Sequence, residues 1–166
     1  MPISKQERVL KKAKEMIVMD YWSPNVERIS DDGIIIYKKG WPKCNLFVYE
    51  MLKAWGVEIE LNQDNIFWKI YNIYRDETPK AKTCQDWYNG DVEGMKHIGD
   101  GIEGLNKSWP GDIVTDGAHI GIISGPSKTI SASYFEEVIV ENDWGWRTNG
   151  TSGNRKYVKV FRYKSF

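Results

Sequence analysis

The sequence predicts an α+β protein in which helices come first and an antiparallel sheet follows. Ser4 is a suitable helix N-cap with Glu7 three residues later, and apolar residues then recur at helical spacing as far as Ile17. The second half contains β-rich runs with short connections, which predict an antiparallel sheet of about five strands. Helices followed by strands are typical of α+β domains, so we expect N-terminal helices packed on this sheet in a single domain, 1–166.

The elements between the first helix and the sheet are predicted from turn and helix-end residues. Asp31-Asp32-Gly33 predicts a turn, and the apolar residues 34–37 then predict a short strand. Pro42 suits the first position of a second helix and Gly56 suits its end. The apolar stripe of this helix consists of Cys44, Phe47, Val48, Met51, Leu52 and Trp55.

The sheet is predicted after a long region, 66–108, in which the hydrophobic periodicity is weak. Trp109-Pro110-Gly111 predicts a turn at the end of this region. The strands are then predicted at 112–114, 119–124, 129–133, 138–141 and 157–162.

Composition excludes several classes of partner. The 23 basic and 23 acidic side chains cancel, so no overall charge attracts the protein to nucleic acid or to a membrane surface. No apolar stretch approaches the roughly 18 residues that a membrane span needs. Met1 leads into a charged amphipathic segment, so we expect synthesis in the cytoplasm without a signal peptide. Neither a phosphate-binding loop nor a metal-spaced cluster occurs, and we therefore expect no cofactor.

Cys44, at the start of a helix, and His119, at the start of a strand, are the candidate catalytic pair. A thiol in the first turn of a helix lies near the positive end of the peptide dipoles, and an imidazole can take its proton. Among the pairings of Cys44 or Cys84 with His97 or His119, only Cys44 with His119 places both residues on regular elements. A buried helical cysteine can also be an unreactive core residue. We expect both cysteines to be free and Cys84 to be a packed thiol.

Four segments in this order resemble the papain-like cysteine amidases of bacterial cell-wall metabolism, of the NlpC and CHAP types. The segments are Lys43-Cys44-Asn45-Leu46-Phe47-Val48, Pro110-Gly111-Asp112-Ile113-Val114, Ala118-His119-Ile120-Gly121-Ile122 and Ile130-Ser131-Ala132-Ser133. The Lys-Cys-Asn-x-Phe-Val form, with Asp143-Trp144-Gly145-Trp146-Arg147 downstream, is most similar to small amidase effectors of type VI-like secretion.

The resemblance implies a papain-like fold and hydrolysis of an amide bond in the peptide stems of peptidoglycan. Cys44 would be the nucleophile and His119 its base, and no metal or organic cofactor would be needed. The resemblance also implies an antibacterial toxin that is exported or injected to act in the periplasm of a target cell, with a possible immunity protein as partner. Two other functions stay open: a thiol acyltransferase on the same scaffold, and a catalytically silent module that binds the cell wall or a toxin partner.

The sequence leaves open which residue orients the imidazole of His119. The family alignment points to Ser131, whereas Glu141, Asn142 and Asp143 at the end of the next strand have longer polar side chains.

The turn at 125–128 decides whether Ser131 can reach His119. An even number of loop residues would place His119 on the face of Ala132 and Tyr134, and an odd number would place it on the face of Ser131 and Ser133.

Three more residues near the thiol are singled out. Many members of the family have an aspartate where Lys43 precedes the cysteine, and a cation there would lower the pKa of the Cys44 thiol. Tyr37 and Trp41 are the aromatic residues that we expect in a substrate groove.

Overall fold

A computed structural model of the chain describes residues 3–31, 33, 35–62 and 80–165. The helices within these ranges are α1 (Lys5–Glu15), α2 (Cys44–Lys53), α3 (Cys84–Asn89) and α4 (Gly101–Lys107). The strands are β1 (Arg28–Ile29), β2 (Ile36–Tyr37), β3 (Met95–Asp100), β4 (Ile113–Thr115), β5 (Ile120–Gly125), β6 (Lys128–Ala132), β7 (Ile139–Asn142) and β8 (Lys159–Tyr163).

The main sheet has six strands in the order β3-β8-β4-β5-β6-β7, with every neighbouring pair antiparallel. Strands β1 and β2 form a separate antiparallel pair. The α+β class and the antiparallel sheet are therefore confirmed. The expected number of about five strands is one too low, because β3 lies in the region of weak periodicity, as do α3 and α4. In β3 only Met95 is buried, so the strand lacks the alternation of buried and exposed residues that would have predicted it.

Helix α1 begins as its sequence predicts. The Ser4 side chain accepts from the Glu7 N–H, and the Glu7 carboxylate accepts from the Ser4 N–H, which completes a capping box. Val9 and Ala13 are buried on the inner face of the helix.

Helix α2 carries the candidate nucleophile and is buried along most of its length. Its N-cap is Lys43, whose side chain makes no capping hydrogen bond, and Cys44 is the first helical residue. The prediction that Pro42 occupies the first helical position is therefore wrong by two residues. Gly56 adopts a φ of 72° and its N–H donates to the Lys53 carbonyl, which ends the helix as expected.

The core lies on both faces of the main sheet. Alternate residues of β4 point to opposite faces, so Ile113 joins the cluster under α1 and α2, whereas Val114 joins a smaller cluster with Leu105 of α4. Helix α2 packs on β5 and β6, which brings its first turn to the end of the sheet where β5 begins.

A buried carboxylate joins three parts of this framework. Asp112 is fully buried and accepts two hydrogen bonds from Arg162 of β8, both at 2.7 Å. It also accepts from Gln6 Nε2 at 3.0 Å and from the Trp109 N–H at 2.7 Å. The aspartate of the Pro-Gly-Asp turn is thus a structural residue that ties α1 and β8 to the start of β4.

Some predictions fall on residues outside the described ranges. These are Asp32 in the predicted turn, Ile34 in the predicted short strand, and 66–79 in the weakly periodic region. None of the helices in the described ranges is long and apolar enough to cross a membrane.

Candidate active site

Cys44 lies at the start of α2 and lines a groove, although the residue is buried. Both cysteines are free, as the sequence predicts. The Sγ atom of Cys84, the first residue of α3, lies 3.5 Å from the Sγ atom of Cys44. Cys84 is therefore a direct neighbour of the candidate nucleophile as well as a packed thiol.

The surroundings of Cys44 favour its thiolate form. Hydrogen bonding to the Cys84 thiol, together with the hydrogen bond and charge of His119 and the N–H of Ile120, lowers the pKa of Cys44 well below that of an ordinary thiol, although burial opposes this change. The contact with Cys44 and burial raise the pKa of Cys84. The thiolate character of this pair therefore lies on Cys44, the sulfur that also contacts His119.

His119 is held by the turn immediately before β5. The Asp116 carboxylate accepts from the N–H groups of Ala118 and His119, at 3.0 and 2.8 Å. The Thr115 hydroxyl donates to the His119 carbonyl at 2.7 Å. The ring of Trp144 meets the imidazole edge to face, with 4.7 Å between centroids. Backbone and ring contacts together fix the direction of the imidazole.

Among the four candidate orienting residues, Ser131 is the one whose side chain contacts the imidazole of His119. Its Oγ lies 2.9 Å from His119 Nε2. This contact leaves Nδ1 as the ring nitrogen for Cys44, and the Cys44–His119 hydrogen bond contributes to the low pKa of the thiol. When Nδ1 holds the proton of the thiol, the Nε2–H donates to the Ser131 hydroxyl.

A bulge in β5 brings Ser131 to the His119 face. The hairpin loop has two residues between Gly125 and Lys128, which pair with each other. One extra residue between Ile123 and Gly125 then shifts the register, and Ile122 pairs with Ile130. In this register Ser131 lies opposite residue 121 and on the face of His119. The even loop was expected to exclude Ser131, and the extra residue in the bulge reverses that outcome.

Gly121 leaves room for this contact. A Cβ atom at Gly121 would lie 3.0 Å from Ser131 Cβ and would overlap the Thr129 methyl group. A side chain here would therefore displace the strand that carries Ser131.

The longer polar candidates either are exposed or have other partners. Glu141 is exposed on β7, and Asp143 forms an exposed ion pair with Arg147 at 2.8 Å. Asn142 lines the groove, and its Oδ1 accepts from the Trp144 N–H at 3.0 Å. Asn142 thus contacts the backbone of Trp144, whose ring packs on the imidazole of His119.

The groove beside Cys44 has a volume of about 430 Å³. Its rim includes Tyr134 and Phe135 in the connection between β6 and β7, and Phe135 is 94 % exposed. Glu136 and Arg147 add one charge of each sign to the lining, and Trp22 closes the side next to α2. The lining thus combines apolar and aromatic surface with charges of both signs.

Tyr37 and Trp41 lie outside the lining of this groove, in contrast to the prediction. Tyr37 is buried, its hydroxyl accepts from Asn45 Nδ2 at 2.8 Å, and burial raises the pKa of Tyr37 to about 12. Trp41 packs edge to face on the Tyr37 ring. The sequence reasoning missed Trp22 and Trp144, because tryptophans distant in sequence from Cys44 carry no local signal of the groove.

Lys43 supports the loops around the groove. Its Nζ donates to the carbonyls of Ser23, Lys38 and Trp41, at 3.0, 3.2 and 3.1 Å. Burial lowers the pKa of Lys43. The expected effect of Lys43 on the thiol is not among the causes that lower the pKa of Cys44, since the ammonium faces these carbonyls.

The position of Cys84 could have been inferred from a capping signal. Thr83 and Asp86 form a capping box that starts α3, with Cys84 as its first helical residue. Both cysteines therefore occupy the first position of a helix.

Comparisons of the chain with protein-family models, with curated proteins and with solved structures find no match. Within the described ranges, no group of three histidine, cysteine, aspartate or glutamate side chains is arranged to hold a metal ion.

Proposed function

We propose that the protein is a cysteine hydrolase that cleaves an amide bond in the peptide stems of peptidoglycan. The observation that supports this chemistry best is the position of the Cys44 thiol, which lines a groove and contacts both Cys84 and His119. These two contacts lower the pKa of Cys44. The substrate class is supported by the resemblance of the Cys44, Pro110-Gly111-Asp112 and His119 segments to cell-wall amidases.

In the proposed reaction the Cys44 thiolate attacks the carbonyl carbon of the amide. The electron pair of the carbonyl moves to its oxygen, and backbone N–H groups at the start of α2 stabilise this oxyanion. The His119 imidazolium gives its Nδ1 proton to the leaving amine, and a thioester remains on Cys44. His119 then takes a proton from water, the resulting hydroxide hydrolyses the thioester, and the ion pair is restored.

The experiment is a digest of purified peptidoglycan, analysed by mass spectrometry for new amine and carboxyl ends. Cys44→Ala and His119→Ala should each abolish the new ends. His97→Ala is the matched control, because His97 is exposed and pairs with Asp100 outside the groove. His97→Ala should digest like wild type.

Three results would contradict the proposal. Equal digestion by wild type and Cys44→Ala would exclude the cysteine mechanism. Transfer of the acyl group to an added amine, without hydrolysis, would indicate an acyltransferase. Binding to peptidoglycan that survives alkylation of Cys44, without any cleavage, would indicate a silent binding module.

We further propose that the cell wall of a target bacterium is the site of action. Expression in a bacterial host should cause lysis when an export signal directs the protein to the periplasm, and growth should continue when Cys44 is replaced by alanine. A producer of such an enzyme would need an immunity protein. Lysis by the exported Cys44→Ala variant would contradict the proposal.

A further inference from the structure

The two cysteines face each other at the starts of two helices. Their Sγ atoms are 3.5 Å apart, and a disulfide bond needs about 2.05 Å. The two sulfur atoms must therefore approach each other by about 1.5 Å. Small movements of the two side chains and of the irregular segments that precede the helices can provide this approach. The fold therefore holds a thiol pair close to bonding distance.

Hydrogen bonds hold these two helix starts together. Asn45 of α2 donates from Nδ2 to the carbonyls of Ala81 and Lys82, at 3.3 and 3.2 Å, in the segment that leads to Cys84. The Thr115 hydroxyl contacts the Cys84 carbonyl at 3.4 Å. Because these contacts already bring together cysteines 40 residues apart, closure of the disulfide needs no further ordering of the chain.

We propose that Cys44 and Cys84 form a site of reversible oxidation, at which hydrogen peroxide converts the two thiols into a disulfide. The Cys44 thiolate attacks one peroxide oxygen, which gives a sulfenic acid and releases hydroxide. The Cys84 sulfur then attacks the sulfenic sulfur, so that the S–S bond forms, the S–O bond breaks and water leaves with the Cys84 proton. The two thiols lose two electrons, and the peroxide is reduced to water and hydroxide. A dithiol reductant reverses the reaction.

The two cysteines have different parts in this reaction because their surroundings differ. Cys44 lines the groove and is the more acidic thiol, so it meets peroxide first. Cys84 is not part of the groove lining, and the contact with Cys44 raises its pKa, so Cys84 keeps its proton until the sulfenic acid forms. The disulfide removes the nucleophile, so hydrolysis should stop while the protein is oxidised. This last consequence rests on the proposed function, whereas the disulfide does not.

The test follows the mass and the thiols of the full chain. Reduced protein, freed of reductant, is treated with rising amounts of hydrogen peroxide and quenched with N-ethylmaleimide. Wild type should lose about 2 Da and both maleimide adducts, and dithiothreitol should restore both. A non-reducing digest should yield the peptide of Cys44 linked to that of Cys84.

Cys84→Ser is the matched control, because it keeps the nucleophile and a hydroxyl near it but cannot form the disulfide. This variant should accumulate a Cys44 sulfenic acid that dimedone traps, followed by a sulfinic acid that dithiothreitol does not reverse. The same dimedone adduct in wild type, with Cys84 still open to alkylation, would overturn the inference.

Activity measured on the same samples separates this inference from the proposed function. A reversible disulfide in a protein that never digests peptidoglycan would refute the proposed function and leave the inference standing. Full digestion by protein that carries the disulfide would refute the regulatory part of the inference.

Discussion

Removal of the Ser131 hydroxyl should slow the proposed hydrolysis without abolishing it. Ser131 is buried, so solvent does not easily replace its 2.9 Å contact with His119 Nε2. A hydrogen bond to a charged group contributes about 1.5–3 kcal/mol, and each 1.4 kcal/mol is a factor of about ten. Ser131→Ala should therefore lower kcat by about 10- to 150-fold, because base and nucleophile still meet part of the time.

The assay is kcat and KM for one purified stem-peptide fragment. KM should change little. Ser133→Ala is the matched control, because Ser133 lines the same groove. Its hydroxyl accepts from the Glu136 N–H at 3.1 Å, within the connection between β6 and β7.

Two outcomes would refute this reasoning. The first is a kcat of Ser131→Ala within a fewfold of wild type, and the second is an equal loss in Ser133→Ala. Glu141→Ala and Asp143→Ala should stay within a fewfold of wild type, because neither side chain contacts the imidazole. A large loss in either variant, together with normal Ser131→Ala, would assign the orienting role to the end of β7.

Three further predictions concern the sulfur contact, the buried carboxylate and the crowded glycine. Cys84→Ala removes the largest cause of the low pKa of Cys44. The rate at which iodoacetamide alkylates Cys44 should therefore rise only at higher pH than in wild type, and an unchanged pH profile would contradict this. Asp112→Asn removes the fully buried charge that pairs with the partly buried Arg162, and it should lower the free energy of unfolding in urea by about 3 kcal/mol. The exposed Asp143→Asn should lower it by at most about 1 kcal/mol. Gly121→Ala should cost about 1–3 kcal/mol of stability in the same urea assay and lower kcat, and unchanged values of both would show that the strands adjust.

The fold could be predicted where the sequence contains a capping motif or a run of apolar residues that the structure buries. Helix α1 has a capping box and an apolar face, and β5 is buried along almost all of its length. The elements that escaped prediction are short or exposed. Helix α3 has six residues, too few to show a helical period, and β3 is an edge strand with mostly partly exposed residues.

In the candidate site, too, some residues could be predicted from local motifs and others depend on how distant segments pack. Cys44 and His119 stand at the starts of elements that the local sequence marks, so the pair could be proposed from motifs alone. The contact of Cys84 with Cys44 depends on how α3 docks, which Asn45 fixes by hydrogen bonds to residues far along the chain. The contact of Ser131 with His119 depends on a bulge near Ser124. No turn residue in the sequence predicts the extra residue that this bulge adds to β5.

The place of β8 in the sheet has a consequence for biosynthesis. This strand is made late, yet it lies between β3 and β4 and supplies the arginine that neutralises Asp112. Strands β4 to β7, which flank His119 and carry Ser131, can pair with one another earlier on the ribosome. They then present the open edge of β4 and the Asp112 carboxylate without its arginine partner. Nascent or truncated chains without residues 159–163 should therefore associate edge to edge, and chaperone binding to this edge should end when β8 is released from the ribosome.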